Sequence, residues 1–250
     1  MPEFGLGLVS LGRTWGYHPS PLPTREQAHG LLAKAVELGV TVFDTAPAYG
    51  ESEHLTGEFF RQLLAATRDR LKLATKCGEH WDPVNHAPFV DHSYDALIRS
   101  IDRSMGLLGK IDLLQIHKPT VDVLHQPDVW KALDYARSCG IQAIGASVTD
   151  LETGRLACSM NAIDVIQFPC NIRFQALEDL LSEAREHSRQ VWTNRPFAMG
   201  QMIHEDGVSL LDAYRFIISR EFRGAVLTGT SNVHHLVEDL NAFREALLCN

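Results

Sequence analysis

Short apolar stretches alternate with longer stretches of helical periodicity along the whole chain. The apolar stretches are rich in Val, Ile, Leu or Phe, and their lengths are typical of buried strands. They predict strands near 5–9, 40–45, 71–76, 111–117, 142–147, 164–169, 190–195 and 224–229. Apolar residues recur with helical spacing most clearly over 26–38, 54–66, 96–108 and 210–220. Strands that alternate regularly with helices indicate a parallel sheet covered by helices.

The number of strand–helix units favours a closed barrel. Eight units in 250 residues leave about 31 residues for each unit, close to the ~30 residues of one βαβ element. We therefore predict an α/β protein with the (β/α)8 TIM barrel fold, and a doubly wound open sheet is the weaker alternative. No linker or low-complexity stretch divides the chain, so we expect a single domain over residues 1–250.

Capping signals support several of the predicted helix starts. Thr24 is followed three residues later by Gln27, and Asp150 is followed by Thr153. Ser52 stands where the helix after the second strand should begin. Side chains of this kind accept hydrogen bonds from the free N–H groups of a first helical turn.

Composition excludes some classes of function. The 31 acidic and 23 basic side chains give a net charge of −8, and a nucleic-acid binder more often carries a basic excess. The chain has no basic-then-apolar leader and no apolar run near the ~18 residues that a membrane span requires. Five widely spaced cysteines are most simply read as reduced thiols. We expect a soluble cytoplasmic protein that binds neither nucleic acid nor membrane.

Polar residues with catalytic potential end three successive predicted strands. Asp44, Lys76 and His117 end strands two, three and four, and Tyr49 lies in the loop after strand two. Successive parallel strands of a barrel are neighbours, and their carboxyl ends carry the active site of this fold. These side chains can therefore meet on one patch of the rim.

The four residue types suit proton donation to a carbonyl oxygen. A free tyrosine has a pKa near ~10 and is a poor acid at neutral pH. A lysine ammonium favours the phenolate, so we expect Lys76 to lower the pKa of Tyr49, with Asp44 holding Lys76 by ion pairing. His117 can hydrogen-bond the substrate oxygen. Each residue alone has an ordinary structural explanation, but the combination points to a carbonyl reductase.

The chain resembles the aldo-keto reductases. Residues 43–53 are similar to that family's D-T-A-x-x-Y-G-x-S-E motif, and residues 111–119 are similar to its I-D-L-x-x-x-H-x-P motif. The resemblance implies a nicotinamide-dependent reduction of an aldehyde or ketone, with hydride from the cofactor and a proton from Tyr49. Asp44, Tyr49, Lys76 and His117 match the family's catalytic four.

The resemblance also implies a set of cofactor contacts on the later strands. They are Ser147, Gln167, Arg195, Pro196, Gly200, Gly229, Thr230, Ser231, Asn232, His235, Glu238 and Asp239. NADPH is the better choice over NADH by family resemblance. However, the positions that match the family's cation for the 2′-phosphate are Gly229 and His235, so we expect a weak preference.

Several positions depart from the family pattern. Val148 replaces an asparagine that contacts the nicotinamide, and the stretch 193–196 of strand seven lacks the aromatic that usually stacks on the nicotinamide ring, so Arg195 could cross the ring or reach a phosphate. Lys118 replaces a common tryptophan and, with Trp15 and Trp81, is expected to line the substrate pocket. Loop 78–92 could cover the substrate or be a plain connection. The short N-terminus, the short loop after strand seven and the lack of a C-terminal tail suggest a compact bacterial-type member.

Other functions remain open at this point. A sensor or regulatory subunit that binds the nucleotide with little turnover could use the same barrel. A Schiff-base aldolase could use Lys76. His234 and His235 are adjacent and lack further ligands at metal spacing, so no metal site is expected. The natural substrate and the oligomeric state are not indicated.

Overall fold

The main body of the protein is a closed parallel barrel. The computed structural model describes residues 1–18 and 21–249, so positions 19, 20 and 250 of the predicted single domain lie outside the described residues. The strands are β1 (Glu3–Gly7), β2 (Val42–Asp44), β3 (Lys72–Cys77), β4 (Glu79–Asp82), β5 (Ala87–Val90), β6 (Leu113–His117), β7 (Ala143–Ser147), β8 (Val165–Pro169), β9 (Gln190–Asn194) and β10 (Gly224–Gly229). The barrel order is β1-β10-β9-β8-β7-β6-β3-β2, and β4 pairs with β5 outside it. The (β/α)8 TIM barrel prediction is confirmed.

Helices surround the barrel and connect its strands. They are α1 (Val9–Gly12), α2 (Arg25–Glu37), α3 (Ser52–Phe60), α4 (Ala65–Arg68), α5 (Tyr94–Leu108), α6 (Val121–His125), α7 (Pro127–Ser138), α8 (Leu151–Ser159), α9 (Asp179–Glu186), α10 (Gln201–His204), α11 (Leu210–Ile218) and α12 (Val233–Leu248). The helix predicted over 54–66 is divided into α3 and α4, because Leu64 between them has an extended backbone. None of the helices in the described part of the chain is long and apolar enough to cross a membrane.

Two of the three predicted caps are confirmed. Thr24 and Gln27 form a reciprocal capping box at α2, and Asp150 accepts a hydrogen bond from the Thr153 N–H at α8. The prediction for Ser52 is wrong, because Glu51 occupies the cap position of α3. The buried Ser52 hydroxyl instead donates to the Leu8 carbonyl and lies 2.9 Å from the Thr45 hydroxyl. Ser52 therefore ties together the loops that follow β1 and β2.

The barrel interior changes from apolar to polar along the strands. A lower layer of buried side chains consists of Val42, Ala74, Leu113, Val165, Trp192, Ala225 and Leu227. Since side chains alternate across a strand, the next inward positions lie two residues further on. These positions are Asp44, Lys76, Gln115, Gln167 and Asn194. The apolar layer closes the barrel below, and the polar layer forms the floor of a site at the carboxyl ends of the strands.

The segment 78–92 forms a β-hairpin, although the sequence suggested a long loop. Strands β4 and β5 pair antiparallel from Glu79 opposite Val90 to Asp82 opposite Ala87. Below the hairpin, a ring nitrogen of His92 lies 3.0 Å from the His117 carbonyl oxygen. Gly78 has φ +100°, and a Cβ there would lie 2.3 Å from the His92 ring. The hairpin is thus anchored directly beside the end of β6.

Candidate active site

Lys76 is the centre of a buried cluster at the carboxyl end of the barrel. Its Nζ donates to Asp44 Oδ2 at 2.6 Å, to the Thr45 carbonyl at 3.0 Å and to the Tyr49 hydroxyl at 3.2 Å. The lysine side chain is only 1% exposed. Strands β2 and β3 are adjacent in the barrel, which places Lys76 directly over Asp44. The structure therefore brings together three of the four residues that the motif suggested.

Two glutamines hold Asp44 from the far side of the barrel. Gln115 Nε2 donates to Asp44 Oδ1 at 2.9 Å, and Gln167 Nε2 donates to Asp44 Oδ2 at 3.3 Å. All three side chains are buried. The sequence did not single out Gln115, although it lies two residues before His117 and therefore on the same strand face. The Asp44 carboxylate accepts three hydrogen bonds, so its position is fixed inside the barrel.

The Tyr49 loop lies against the loop after β1. Residues Pro47–Tyr49 form one 3-10 turn. Gly50 follows with φ +58°, and a Cβ on it would lie 2.2 Å from the Gly12 carbonyl oxygen. A Cβ on Gly12 would in turn lie 2.1 Å from the Tyr49 carbonyl oxygen. This close approach of two backbones fixes the direction in which the Tyr49 ring enters the site.

The pKa of Tyr49 moves in the opposite direction to the one expected from the sequence. Burial has the largest effect and raises the pKa of Tyr49 above its ordinary value of 10.0, and the nearby Asp44 and Glu79 charges raise it further. Lys76 lowers it, as expected, but does not offset the burial. Burial alone would lower the pKa of Lys76, yet its contacts with Asp44 and Tyr49 raise it overall. The site thus holds a protonated phenol beside an ammonium group.

His117 completes the cluster on the side of β6. Its ring meets the Tyr49 ring edge-on, with centroids 6.0 Å apart and an angle of 86°. Burial, followed by the charges of Lys76 and Lys118, lowers the pKa of His117 well below its ordinary value. His117 is therefore a neutral imidazole at physiological pH, and it can donate or accept one hydrogen bond without carrying charge.

Glu79 is a further site residue that the sequence analysis did not identify. It is buried at the start of the hairpin, and its Oε2 lies 3.2 Å from His117 Nδ1. This contact lacks hydrogen-bond geometry, since Nδ1 has no hydrogen-bond partner. The other carboxylate oxygen of Glu79 accepts a hydrogen bond from Lys118 Nζ. Lys118 is thus engaged by an ion pair, and only the hairpin fold shows that Glu79 reaches the rim.

The ends of β7, β8 and β9 offer polar groups beside the Lys76 cluster. Ser147 and Gln167 are buried, and Gln167 Oε1 and Asn194 Oδ1 are buried oxygens without hydrogen-bond partners. Buried polar atoms are normally satisfied, so unpaired acceptors at a strand end suit a ligand that donates N–H groups. A nicotinamide carboxamide has such donors. The residues present therefore fit this part of a nicotinamide cofactor.

The segment after β10 begins a long helix. Thr230 Oγ1 accepts from the Asn232 N–H, and Asn232 Oδ1 accepts from the His234 N–H and caps α12. These two side chains are thus used in the turn, whereas Ser231 has no such contact in the structure. The start of a long helix favours negative charge. This segment is suited to cofactor phosphates, mainly through backbone N–H groups.

The other residues implied for the cofactor occupy different surroundings. Gly229, His235 and Glu238 are exposed, and Pro196 is buried. Gly200 has φ +102° and precedes α10. Asp239 is buried on α12, where burial and Glu238 raise its pKa to about 7. Asp239 therefore faces the protein interior rather than open solvent.

Aromatic and basic side chains contact one another where the loop after β1 meets the β4–β5 hairpin. The Arg13 guanidinium carbon lies 5.2 Å from the centroid of the Trp15 ring and 5.6 Å from that of the Trp81 ring. Arg195, with φ +55°, lies 5.6 Å from the Trp15 ring centroid. Trp15 and Trp81 are therefore close together, and Arg13 lies between them, a residue that the sequence did not single out.

Cys170 directly follows β8. Burial raises the pKa of its thiol to about 12, which keeps the thiol protonated at neutral pH, and all five cysteines are free. In the described residues no group of three or more His, Cys, Asp or Glu side chains could hold a metal ion.

Comparisons with known proteins show strong similarities to one family. A model of the Aldo/keto reductase family matches residues 3–203. The chain is 30% identical over 185 residues to the aldo-keto reductase YhdN of Bacillus subtilis, a match that covers 71% of this chain and 52% of that protein. It is 24% identical over 213 residues to aldo-keto reductase yakc of Schizosaccharomyces pombe, whose name specifies NADP(+), covering 80% of this chain and 59% of that protein.

The fold shows the same relationship. A solved structure of a Pseudomonas aeruginosa protein described as an aldo-keto reductase aligns with a TM-score of 0.83 at 27% identity, over 98% of this chain and 90% of that chain. The chain spans between half and three fifths of the length of the two sequence relatives.

Proposed function

Because this chain belongs to the aldo/keto reductase family, we propose that it is an NAD(P)H-dependent oxidoreductase that converts an aldehyde or ketone to an alcohol. The observation that carries the proposal is the Lys76 ammonium, buried between the Asp44 carboxylate and the Tyr49 hydroxyl. An ion pair in such a site costs desolvation free energy and needs several hydrogen bonds to persist. A charged lysine aimed at a phenol is useful where that phenol gives up its proton.

In this proposal Tyr49 delivers the proton to the carbonyl oxygen. The Lys76 charge stabilises the phenolate that remains, and Asp44 keeps Lys76 in place. The hydrogen bonds from Gln115 and Gln167 keep Asp44 from turning away. Since the net pKa of Tyr49 is raised, the phenol stays protonated until the oxygen of the substrate develops negative charge.

His117 orients the substrate in the same scheme. Its Nδ1 has no hydrogen-bond partner, and it faces the Glu79 carboxylate. A ring that carries a proton on Nε2 can donate it to the carbonyl oxygen. The oxygen would then lie between the Tyr49 hydroxyl and the imidazole. The β4–β5 hairpin, anchored beside β6, would lie on this side of the substrate.

The cofactor would lie along the ends of β7 to β10. Ser147, Gln167 and Asn194 would hold the carboxamide of the nicotinamide, and the Thr230–Asn232 turn would hold the phosphates. A bound nicotinamide supplies the hydride. NADPH is the proposed nucleotide, in keeping with the name of the Schizosaccharomyces pombe relative. Residues 229–239 contain no Lys or Arg, so the preference over NADH is proposed to be weak.

The two alternative functions make different demands on the site. A nucleotide-binding sensor is favoured by Val148 and by the absence of an aromatic residue at 193–196. Oxidation of bound NADPH in a single turnover by a reactive aldehyde separates it from a reductase. A Schiff-base aldolase needs a neutral lysine, whereas contacts with Asp44 and Tyr49 raise the pKa of Lys76. Borohydride should therefore trap no adduct on Lys76.

Substitution of Tyr49 tests the proposal directly. Tyr49→Phe should lower kcat/KM for 4-nitrobenzaldehyde by ~10² to 10⁴-fold, the usual contribution of general-acid catalysis, while the Kd for NADPH stays within about twofold. The matched control is Tyr94→Phe, because Tyr94 is exposed on α5. NADPH consumption at wild-type rate in the Tyr49 variant would exclude Tyr49 as the proton donor.

A further inference from the structure

Arg13 is a cation at the mouth of the site without an anionic partner. It contacts the Trp15 and Trp81 rings through cation–π interactions. Such contacts hold the guanidinium in position but use none of its five N–H donors. The nearby carboxylate, Glu79, is already engaged by Lys118 and faces His117. No carboxylate among residues 1–18 and 21–249 forms an ion pair with Arg13.

The position of Arg13 is on the substrate side of the catalytic cluster. It directly follows α1, in the connection between β1 and α2, and its charge is close enough to His117 to help lower the pKa of that imidazole. Trp81 belongs to the hairpin after β3, on the opposite side of the cluster from the strands that fit the nicotinamide. Arg195 contacts the other tryptophan from the end of β9. Arg13 thus lies between the loop after β1 and the hairpin, whereas Arg195 reaches Trp15 from the end of β9.

The charge at this mouth contrasts with the rest of the chain. The protein has a net charge of −8, yet Arg13 and Arg195 both lie against the Trp15 ring, and neither forms an ion pair within the described residues. A partly desolvated, unpaired guanidinium is costly unless a ligand supplies an anion. Its fork of donors matches a carboxylate in a bidentate arrangement. Two indole rings beside it provide apolar walls for the body of a planar or short-chain ligand.

We propose that the substrates of this enzyme are aldehydes or ketones that carry a carboxylate, which the Arg13 guanidinium binds between Trp15 and Trp81 while the carbonyl oxygen lies between Tyr49 and His117. The inference rests on the reductase function proposed above. It deepens that function by naming the substrate class. Arg13 acts on specificity and binds the end of the substrate remote from the chemistry.

A matched pair of substrates tests the inference. 4-Carboxybenzaldehyde and methyl 4-formylbenzoate share a ring and an aldehyde and differ in one negative charge. A hydrogen bond to a charged group contributes roughly 10- to 100-fold in binding. We expect the kcat/KM of the wild-type protein to be at least about 10-fold higher for 4-carboxybenzaldehyde than for the methyl ester. Addition of 0.5 M NaCl should reduce this preference.

Variants assign the preference to Arg13. Arg13→Gln should lower the carboxylate-to-ester ratio by about 10- to 100-fold, and Arg13→Lys should retain part of it, since a point charge replaces the fork. The matched control is Arg70→Gln, which removes the same charge from an exposed residue before β3, at the opposite end of the barrel. Its ratio should equal that of the wild type.

The outcomes separate this inference from the proposed function. Reduction of both aldehydes with no preference, or a ratio that Arg13→Gln leaves unchanged, overturns the carboxylate inference and leaves the reductase intact. A large rise in the Kd for NADPH in Arg13→Gln would also overturn it, because Arg13 would then serve the cofactor phosphates. If neither aldehyde is reduced, the proposed function fails instead. In that case calorimetry with 4-(hydroxymethyl)benzoate in the presence of NADP⁺ still tests the carboxylate contact. If Arg13→Gln binds this alcohol as tightly as the wild type does, the contact is refuted.

Discussion

Removing the charge of Lys76 should destabilise the fold as well as the activity. The Lys76→Met variant keeps an unbranched apolar side chain of similar length, so the cavity it leaves is small. It removes hydrogen bonds of 2.6, 3.0 and 3.2 Å to Asp44, the Thr45 carbonyl and Tyr49. It also leaves the Asp44 carboxylate, 5% exposed, without its counter-charge.

The size of the effect follows from this environment. Removing one member of a buried ion pair costs ~3 to 5 kcal/mol. Asp44 keeps the amide donors of Gln115 and Gln167, so we expect the lower end, about 3 kcal/mol of unfolding free energy. For a chain of this size that corresponds to a fall in Tm of roughly 6 to 12 °C. Carbonyl reduction should be lost as fully as in Tyr49→Phe.

A double-mutant cycle distinguishes a buried charge from lost packing. Asp44→Asn alone leaves the lysine unpaired and should also destabilise. The double variant Lys76→Met with Asp44→Asn contains no unpaired charge, so it should recover about 2 kcal/mol relative to the sum of the single effects. Urea unfolding monitored by tryptophan fluorescence gives all four free energies, and Tyr49→Phe serves as a control that keeps the ion pair.

The pH dependence has a defined sign. The pKa of folded Lys76 is raised above its ordinary value of 10.5. The stabilisation it provides is therefore fully present below the unfolded pKa and is lost only as the pH rises through the folded pKa. The loss of unfolding free energy in Lys76→Met should not diminish between pH 7 and pH 9. A variant within about 1 kcal/mol of wild type, with additive effects in the cycle, would refute the account of a buried ion pair.

Three further predictions concern the backbone, a buried acid and the nucleotide. Gly12→Ala should destabilise the protein and lower kcat, because its Cβ would lie 2.1 Å from the Tyr49 carbonyl oxygen. The control is Gly30→Ala on α2, where a Cβ meets nothing within 4 Å. In thermal unfolding this control should be neutral or stabilising by up to ~1 kcal/mol. The pKa of Asp239 is raised to about 7, so the stability linked to its neutral form is present below its unfolded pKa and is lost as the pH rises through about 7. Asp239→Asn should therefore stabilise the protein more at pH 8 than at pH 5, and the difference between the two gains in unfolding free energy should be on the order of 2–4 kcal/mol. Equal gains in unfolding free energy at both pH values would contradict the burial of a carboxyl group at position 239. Fluorescence titration should give only a modest preference for NADPH over NADH, because residues 229–239 contain no Lys or Arg. A preference above a thousandfold would require a cationic contact with the 2′-phosphate that these residues do not provide.

The sequence determined the barrel and the placement of its polar strand ends. Strand and helix patterns are local, because the side chains of a strand alternate between faces and a helical stripe repeats every three to four residues. Asp44, Lys76 and His117 could therefore be assigned to the ends of neighbouring strands without coordinates. The capping box of Thr24 was readable for the same reason, since all of its partners lie within one turn.

Contacts between distant parts of the chain were decided only by the tertiary structure. Asp44 meets Gln115 and Gln167 across separations of 71 and 123 residues, and such pairing depends on how the strands are staggered around the closed barrel. The β4–β5 hairpin was missed because short strands containing Pro88 lack a clear apolar alternation. Because the hairpin was missed, the sequence also did not show that Glu79 reaches the rim or that Trp81 lies beside Arg13.

Burial and charge balance also depend on the complete fold. Lys76 was expected to set the pKa of Tyr49, but the enclosing barrel raises that pKa more than the single charge lowers it. Desolvation is a property of everything that surrounds a group, and no motif of ten residues contains that information. The sequence thus determined which chemical groups meet at the rim, whereas the packed structure determined their protonation and which cation lies between Trp15 and Trp81.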